Sequence, residues 1–411
     1  MKILWVKSDF LHPTNRGGQI RTLEMLKCLH KRHEIHYVAF DDGKNPEGIE
    51  RSSEYCSCAY AVPNSVPPHR SLRFVGQLCE GLVSPMPVAV KRYASVAMKR
   101  QIQKLLDEQR FDSLVCDFLF PASNLPDISR SVLFQHNVES VIWQRHFEQA
   151  KNPAKRAYFK MQAQRMRAFE MAVCRRAGRV VVVSESDREN MRSLFGVDGI
   201  TCVETGVDLQ YFAPRRPLIA RSSEPGLNGK SIASDLIFTG SMDWLPNIDA
   251  VQFFAGEILR RIRKERPNVR FMIAGRRPSS AVRILAARDS GIGVSGTVSD
   301  IRPYLWASTV AVVPLRVAGG TRLKIFEAMA AKLPVVSTSI GAEGLPVENG
   351  RHLAIADEPE SFARCCLDLL ADAELRSRTA DRAWNFVSSR FSWDAVTREF
   401  EVALKSGPRP N

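Results

Sequence analysis

Long apolar runs are missing from this sequence: none of its 411 residues lies in a window of about 20 consecutive apolar residues, the length that a membrane-spanning helix needs. Paired cysteines are missing too. Cys56 and Cys58 are separated by one residue, Cys365 and Cys366 are adjacent, and neither spacing suits a zinc site. The opening segment, Met1–Lys7, is too short for the apolar core of a signal peptide. We therefore expect a cytoplasmic protein that does not span a membrane, holds no metal and keeps its thiols reduced.

The charge of the sequence is one-sided. Lysine and arginine number 58 against 44 aspartates and glutamates, so the formal net charge is +14. Such an excess favours an anionic partner: nucleic acid, an acidic membrane surface or a phosphorylated small molecule. The hydrophobic content of 45% and the charged content of 25% are ordinary for a globular protein, so composition does not choose among these partners.

Strand and helix patterns alternate along two stretches of the chain, which begin with the apolar runs Ile3–Val6 and Leu236–Thr239. Repeated alternation predicts parallel sheets covered by helices on both faces, and right-handed crossovers make each stretch a doubly wound, Rossmann-like α/β domain. The sequence thus predicts an N-terminal domain over 1–205, a linker over 206–234, a second domain over 235–392 and a C-terminal helix over 393–411 that packs back on the N-terminal domain.

A glycine turn after a buried strand gives the strongest local signal for a ligand. The strand ends at Pro314, and Gly319 and Gly320 let the backbone turn tightly and approach a ligand closely. Thr321 is placed to cap the helix that follows. The free N–H groups and the positive dipole end of such a helix favour a phosphate group.

Charged side chains follow this turn at positions that suit a nucleotide. Arg322 and Lys324 add positive charge beside the predicted diphosphate site. Glu327 lies further along the helix, where a carboxylate can bind the hydroxyls of a ribose. A plain strand–turn–helix unit with charges on its surface explains the same pattern, because glycine turns before helices are common in α/β folds.

The segment Thr321–Ala330, followed by Lys332–Val336, resembles the donor-site signature of glycosyltransferase family 4. Other segments agree with that family in order and spacing: Gly17-Gly18, Val180–Glu185, Gly206–Asp208, Phe238–Ser241 and Phe271–Gly275. The resemblance covers nearly the whole chain. It implies the GT-B fold, in which two Rossmann-like domains face each other across a cleft, and transfer of a sugar with retention of configuration from a UDP- or GDP-linked donor.

The resemblance also implies which residues line the donor site in addition to the helix start. Ser241 follows the first donor-domain strand, Thr297 and Val298 lie where the family holds the nucleobase, and Gly17 and Gly18 form a turn that lets the first loop pass close to the donor phosphates.

Two family features are absent from the sequence. Many members have a glutamate where this chain has Gly319, and many have an arginine and a lysine in the loop Gly240–Asn247, which here has neither. We expect Arg322 and Lys324 to supply the compensating charge, since the departing nucleoside diphosphate develops negative charge in the transition state.

One histidine follows a strand of the N-terminal domain. His136 lies at the carboxyl end of the predicted sheet, where doubly wound folds place their sites, and the resemblance puts it near the transferred sugar. A lone histidine is also common as a packing residue. Glu139 and Glu185 are weaker candidates, since exposed carboxylates at helix starts explain both, and Arg276 has either a cleft or a surface role.

Positive charge concentrates in 151–179, where Glu170 is the single acid and apolar residues are interleaved. A basic amphipathic segment suits docking on anionic lipid, and hence a lipid-linked acceptor, although a packed helix with solvated charges fits as well.

We predict a glycosyltransferase of cell-surface polysaccharide or glycolipid synthesis, peripheral on the inner membrane face. The alternatives are a sugar-nucleotide epimerase on the same scaffold and a non-catalytic protein that binds anions or nucleic acid. No nucleic-acid partner is expected, because no recognised binding motif accompanies the charge.

Overall fold

Two parallel sheets organise the chain. The computed structural model describes residues 1–14, 17–43, 45–63, 84–150, 152–214, 232–317 and 323–405. The chain divides into two compact units: an N-terminal unit of Met1–Thr205 with Trp393–Asn411, and a C-terminal unit of Gly206–Ser392. Of the predicted linker, 206–214 and 232–234 therefore belong to the C-terminal unit, and 215–231 lie outside the described residues.

The described strands of the N-terminal unit form one sheet in the order β3-β2-β1-β4-β5-β6-β7, with every pair parallel. They are β1 Lys2–Val6, β2 Glu34–Asp41, β3 Cys58–Pro63, β4 Ser113–Asp117, β5 Ser131–Phe134, β6 Arg179–Val182 and β7 Thr201–Cys202. The order reverses between β1 and β4. A crevice opens at such a switch point, outside the carboxyl ends of the strands.

The C-terminal unit repeats this topology with the strand order β10-β9-β8-β11-β12-β13, again parallel throughout. Its described strands are β8 Ser234–Thr239, β9 Phe271–Ala274, β10 Ile292–Val294, β11 Ser308–Val313, β12 Val335–Ser337 and β13 Ala354–Ile355. Here the switch point lies between β8 and β11.

Helices connect the strands in both units. In the described part of the N-terminal unit the α-helices are α1 Gly17–His30, α2 Pro46–Glu50, α3 Val88–Lys91, α4 Val96–Glu108, α5 Glu139–Gln149, α6 Pro153–Arg176, α7 Glu185–Phe195 and the C-terminal α17 Trp393–Lys405. In the C-terminal unit they are α8 Leu209–Phe212, α9 Leu245–Phe253, α10 Leu259–Glu265, α11 Ser280–Arg288, α12 Arg302–Trp306, α13 Leu323–Ala330, α14 Ser339–Ala342, α15 Pro359–Ala371 and α16 Ala373–Arg390. A π-helical turn, Phe254–Ile258, joins α9 to α10.

Local sequence explains where these elements start and how they pack. The central strands are continuous apolar runs because helices cover both faces of each sheet, and Ile3–Val6 is 0% exposed. Three helices begin with a serine cap, whose side chain accepts a backbone N–H of the first turn: Ser95 caps α4, Ser184 caps α7 and Ser279 caps α11.

The last helix belongs to the N-terminal unit. The ring of Phe400 on α17 lies 5.7 Å from that of Trp5 and 4.9 Å from that of Phe134. Arg32 forms ion pairs with Asp394 and Glu401 of the same helix. In the part of the chain that the structure describes, no helix has the length and apolar character needed to cross a bilayer.

The predicted fold class is confirmed: the apolar runs at Ile3–Val6 and Leu236–Thr239 lie in β1 and β8, and each begins a doubly wound parallel sheet. One local prediction is wrong. Gly17 and Gly18 do not form a turn but are the first described residues of α1, and neither has a positive φ.

Candidate active site

A buried ion pair lies at the switch point of the N-terminal sheet. Lys7 directly follows β1 and Asp117 ends β4, and the two strands are neighbours in the sheet. The Lys7 Nζ is 3.1 Å from the Asp117 Oδ1, with side chains 3% and 0% exposed. The other carboxylate oxygen of Asp117 accepts hydrogen bonds from the indole N–H of Trp5 at 2.9 Å and the hydroxyl of Thr22 at 2.7 Å. Burial raises the pKa of Asp117, but Lys7, His136 and Thr22 outweigh it and hold that pKa well below its ordinary value.

His136 joins this network through both ring nitrogens. Its Nε2 lies 2.7 Å from the Asp117 Oδ1, and its Nδ1 lies 3.2 Å from Nη1 of Arg21. A guanidinium can only donate, so Nδ1 accepts and Nε2 carries the proton that Asp117 accepts. Burial lowers the pKa of His136 to about 3, against the raising effect of Asp117. The imidazole is therefore held neutral and in one tautomer.

Aromatic rings cover the faces of this imidazole. The ring of Phe118 stacks on His136 at 4.1 Å with an angle of 11° between the planes, and the ring of Phe134 lies 4.4 Å away. Phe118 has a φ of 75°, a left-handed conformation that costs a bulky residue about 1–3 kcal/mol. Gly18 lies against this stack: a Cβ there would be 3.0 Å from the Phe118 ring and 3.6 Å from Nδ1 of His136. The structure thus places Gly18 and His136 side by side, and close packing explains the glycine.

The weaker carboxylate candidates differ in their environment. Glu185 is exposed in the first turn of α7 and pairs with Arg188, as expected for a helix start. For Glu139 that interpretation is wrong, because its side chain is buried. Burial and the neighbouring Glu170 raise the pKa of Glu139 to about 7. Glu170 is 0% exposed and accepts the backbone N–H groups of Glu139 and Ser140 at 2.9 and 2.8 Å, which caps the start of α5.

Lys324 reaches the switch point of the C-terminal sheet. It lies in the first turn of α13, which follows β11, and its Nζ extends to the end of the neighbouring β8. The ammonium donates to the side-chain oxygen of Asn247 at 2.8 Å and lies 4.1 Å from the centroid of the Phe238 ring. A positive charge is thereby fixed where doubly wound sheets bind their ligands.

Polar loops after β8, β9 and β10 adjoin one another at this edge. The Ser241 hydroxyl donates to Asp243 at 2.7 Å and accepts from Nε of Arg276 at 2.9 Å. The backbone N–H of Arg277 donates to the hydroxyl of Thr297 at 3.3 Å. Ser241 and Thr297, predicted from distant parts of the sequence, are thus linked through the loop after β9. Arg276 takes part in this cluster although its side chain is exposed.

The remaining residues predicted for the donor site are partly buried or lie outside the described residues. Glu327 is half-buried on α13; burial raises the pKa of its carboxyl, and the charge of Lys324 opposes that rise. Val298 packs partly buried against the core of the C-terminal unit. Four of the predicted residues lie outside the described residues: Gly319, Gly320, Thr321 and Arg322.

Sequence reasoning missed the partners that fix these side chains. Asp117 and Lys7 each stand at the carboxyl end of a buried strand, and a charged residue in that position is the signal that identifies them. Arg21 lies on the apolar-patterned α1 and Asn247 in the first turn of α9, where nothing in the local pattern marks them.

Two family models match most of the chain. The model described as Glycosyltransferase Family 4 matches residues 15–211, and the model described as Glycosyl transferases group 1 matches residues 233–372. An uncharacterized 44.6 kDa protein in the cps region of Klebsiella pneumoniae is 20% identical over 406 residues, which cover 95% of this chain and 96% of that protein. The lipopolysaccharide core biosynthesis glycosyltransferase LpsE of Rhizobium meliloti is 37% identical over 131 residues, 28% of this chain and 36% of its own.

Solved structures share the architecture of the whole chain. HepE of Anabaena, in complex with UDP and glucose, matches with a TM-score of 0.65 at 16% identity, over 99% of this chain and 100% of its own. WaaG, a glycosyltransferase involved in lipopolysaccharide biosynthesis, matches with a TM-score of 0.64 at 14% identity, over 98% of this chain and 100% of its own. At these identities the likeness establishes the fold, which is GT-B as the sequence predicts.

Proposed function

Because this chain belongs to glycosyltransferase family 4, we propose that it transfers a sugar from a nucleoside diphosphate to a hydroxyl acceptor with retention of configuration, in the synthesis of a cell-surface polysaccharide or glycolipid. The observation that carries the donor half of this proposal is the Lys324 ammonium, fixed at the β8/β11 switch point beside polar loops. The LpsE relative, whose name refers to lipopolysaccharide core biosynthesis, supports the pathway class.

In this proposal the donor binds along the carboxyl edge of the C-terminal sheet. Lys324 neutralises the diphosphate together with Arg322 and the turn at Gly319-Gly320-Thr321, and Glu327 binds the ribose hydroxyls. Ser241, Thr297 and Val298 contact the remaining nucleotide. The donor is UDP- or GDP-linked, and the UDP complexes of HepE support the former. No metal takes part in the proposal, since basic side chains can carry the charge of the leaving diphosphate.

His136 acts in this proposal as a neutral group beside the transferred sugar. A pKa lowered to about 3 and two engaged ring nitrogens make it a poor general base near neutral pH. The leaving diphosphate is then the group that accepts the proton of the acceptor hydroxyl. Configuration at the anomeric carbon of the product, read by NMR, checks this: an inverted product contradicts the retaining mechanism.

A cationic helical hairpin supports docking on anionic lipid, where a lipid-linked acceptor would lie. On α6 the side chains of Lys155, Arg156 and Lys160 are exposed, whereas Glu170 is buried. Half-buried aromatic rings accompany these cations: Trp143, Phe147 and Phe159. Aromatic and basic side chains together are typical of surfaces that bind the headgroup region of a membrane.

Vesicle flotation tests the membrane surface. We expect the protein to float with phosphatidylglycerol vesicles and not with pure phosphatidylcholine. Reversal to glutamate at Lys155, Arg156 and Lys160 should weaken binding at least about 100-fold, because each basic residue near an anionic surface contributes about 1 kcal/mol. The matched control reverses three exposed cations of the C-terminal unit, namely Arg260, Lys264 and Arg288. Equal loss in both triple variants would show a general charge effect without a docking face.

Calorimetry with UDP, GDP and ADP, followed by product analysis with the matching nucleotide sugars, tests the activity. One nucleotide should bind, and Lys324→Ala and Glu327→Ala should each weaken it at least about tenfold, as expected for a charged contact. Alanine at the exposed Lys264 or Glu360 should leave binding unchanged. The donor site is refuted if no nucleotide binds the wild type, and an epimerised nucleotide sugar as the only product refutes transfer.

A further inference from the structure

An uncharged side chain, that of Asn247, contacts the ammonium of Lys324. Asn247 stands in the first turn of α9, after β8, and its amide oxygen accepts from the Lys324 Nζ at 2.8 Å. The same amide donates through Nδ2 to the backbone carbonyl of Ser241 at 2.9 Å. Asn247 is 8% exposed and both ends of its amide are engaged, so the amide has one defined orientation, which presents its oxygen to the ammonium.

The backbone at the end of β8 lies close against this contact. A Cβ on Gly240 would lie 2.8 Å from Nδ2 of Asn247 and 3.0 Å from the Lys324 Nζ. A side chain at position 240 would therefore press on the amide and the ammonium, and the glycine avoids this. The ammonium also contacts the Phe238 ring, whose centroid lies 4.1 Å from the Lys324 Nζ.

An amide differs from a carboxylate in what it does to the charge that it positions. A carboxylate at position 247 would pair with Lys324 and cancel much of the field that a phosphate experiences. The amide holds the ammonium in place by a charge-assisted hydrogen bond and brings no negative charge of its own. The charge of Lys324 matters more here than in family members that have an arginine and a lysine in the loop Gly240–Asn247, because this chain has neither.

We propose that Asn247 is a positioning residue that fixes Lys324 for the diphosphate of the donor, and that it thereby sets the preference of the site for nucleoside diphosphates over nucleosides. This inference rests on the proposed function, because it needs a nucleotide at Lys324. Asn247 itself acts only through the lysine.

The test compares UDP with uridine, and GDP with guanosine, by calorimetry. The ratio of nucleoside Kd to diphosphate Kd isolates the contribution of the phosphates. Asn247→Asp should lower this ratio by about tenfold or more, and Asn247→Ala by several-fold, since the first cancels charge and the second releases the lysine. Nucleoside binding should stay within about twofold in both variants. Asn385→Asp, the same chemical change on the exposed face of α16, is the matched control.

The outcomes separate this inference from the proposed function. If wild type binds neither diphosphate, or Lys324→Ala leaves the ratio unchanged, the donor site itself is wrong. If Lys324→Ala lowers the ratio and Asn247→Asp does not, the donor site stands and the role of Asn247 is refuted. A loss of nucleoside and diphosphate binding in equal proportion, with a lowered melting temperature, would show a structural role and also refute the inference.

Discussion

Removing the buried carboxylate of the N-terminal unit should destabilise that unit strongly. Asp117 is 0% exposed and receives four side chains: Lys7 at 3.1 Å, His136 at 2.7 Å, Trp5 at 2.9 Å and Thr22 at 2.7 Å. In Asp117→Ala the ammonium of Lys7 is left buried without its counter-charge. Breaking a buried pair in this way costs about 3–5 kcal/mol.

The other three donors to Asp117 add to the loss of unfolding free energy in Asp117→Ala. Each buried donor left without an acceptor costs about 1–3 kcal/mol, although the terms do not add fully within one network. We therefore expect Asp117→Ala to cost at least about 4 kcal/mol of unfolding free energy, or on the order of 10 °C in the melting temperature for a unit of this size. Lys7→Met should cost less, because Asp117 keeps its three other donors.

Scanning calorimetry, with hydrogen exchange to assign each transition to a unit, measures this effect. The transition of the C-terminal unit should not move. The matched control is Asp198→Ala, whose side chain is 86% exposed and pairs with Arg192 at 3.5 Å, where a surface pair contributes about 0–1 kcal/mol. If Asp117→Ala destabilises the N-terminal unit no more than Asp198→Ala does, or less than Lys7→Met does, the network does not stabilise the fold as argued.

Two further changes probe other parts of the molecule. Gly275→Ala should disorder the carboxyl edge of the C-terminal sheet and abolish nucleotide binding, because the added Cβ would lie 1.8 Å from the Gly240 carbonyl oxygen. Gly256→Ala should leave binding intact, because a Cβ there meets no atom within 4 Å. Calorimetry with UDP or GDP compares the two variants. The melting temperature of Glu139→Gln should exceed that of wild type by an amount that grows as the pH rises from 5 to 8. Burial beside Glu170 raises the pKa of Glu139 to about 7, so the folded chain binds more protons than the unfolded chain between about pH 4.5 and 7, and wild type loses stability as the pH rises through that window. A constant difference between the two proteins across this range would contradict the buried-carboxylate argument.

The sequence predicts the first strand of each unit because a strand buried on both faces must be apolar along its whole length. The runs at Ile3–Val6 and Leu236–Thr239 are of this kind. Glycine is less informative: the sequence predicts a turn at Gly17-Gly18, whereas Gly18 lies in α1 and lets this helix pass close to Phe118. A glycine pair signals either backbone freedom or close packing, and only the tertiary neighbours decide between them.

Side-chain environment was the other quantity that local sequence did not supply. Glu139 follows a strand and starts a helix, a position that is usually exposed, but the long α6 covers it and brings Glu170 against it. The sequence predicts His136 at a strand end, where it lies, whereas its tautomer is set by Asp117 and Arg21, which lie 19 and 115 residues away. No pattern within a window of the sequence contains such partners.

The strand order, however, makes part of this information recoverable. In both units the first strand lies beside the fourth, so residues that end these strands meet at the switch point. In the N-terminal unit Lys7 follows the first strand and Asp117 ends the fourth, and the two side chains form a buried ion pair. In the C-terminal unit Asn247 follows the first strand and Lys324 follows the fourth, and the uncharged amide leaves the ammonium half-exposed with its charge uncancelled by that contact. The lysines at the two switch points thus differ in their surroundings: Lys7 is buried against a carboxylate, whereas Lys324 is half-exposed beside an amide.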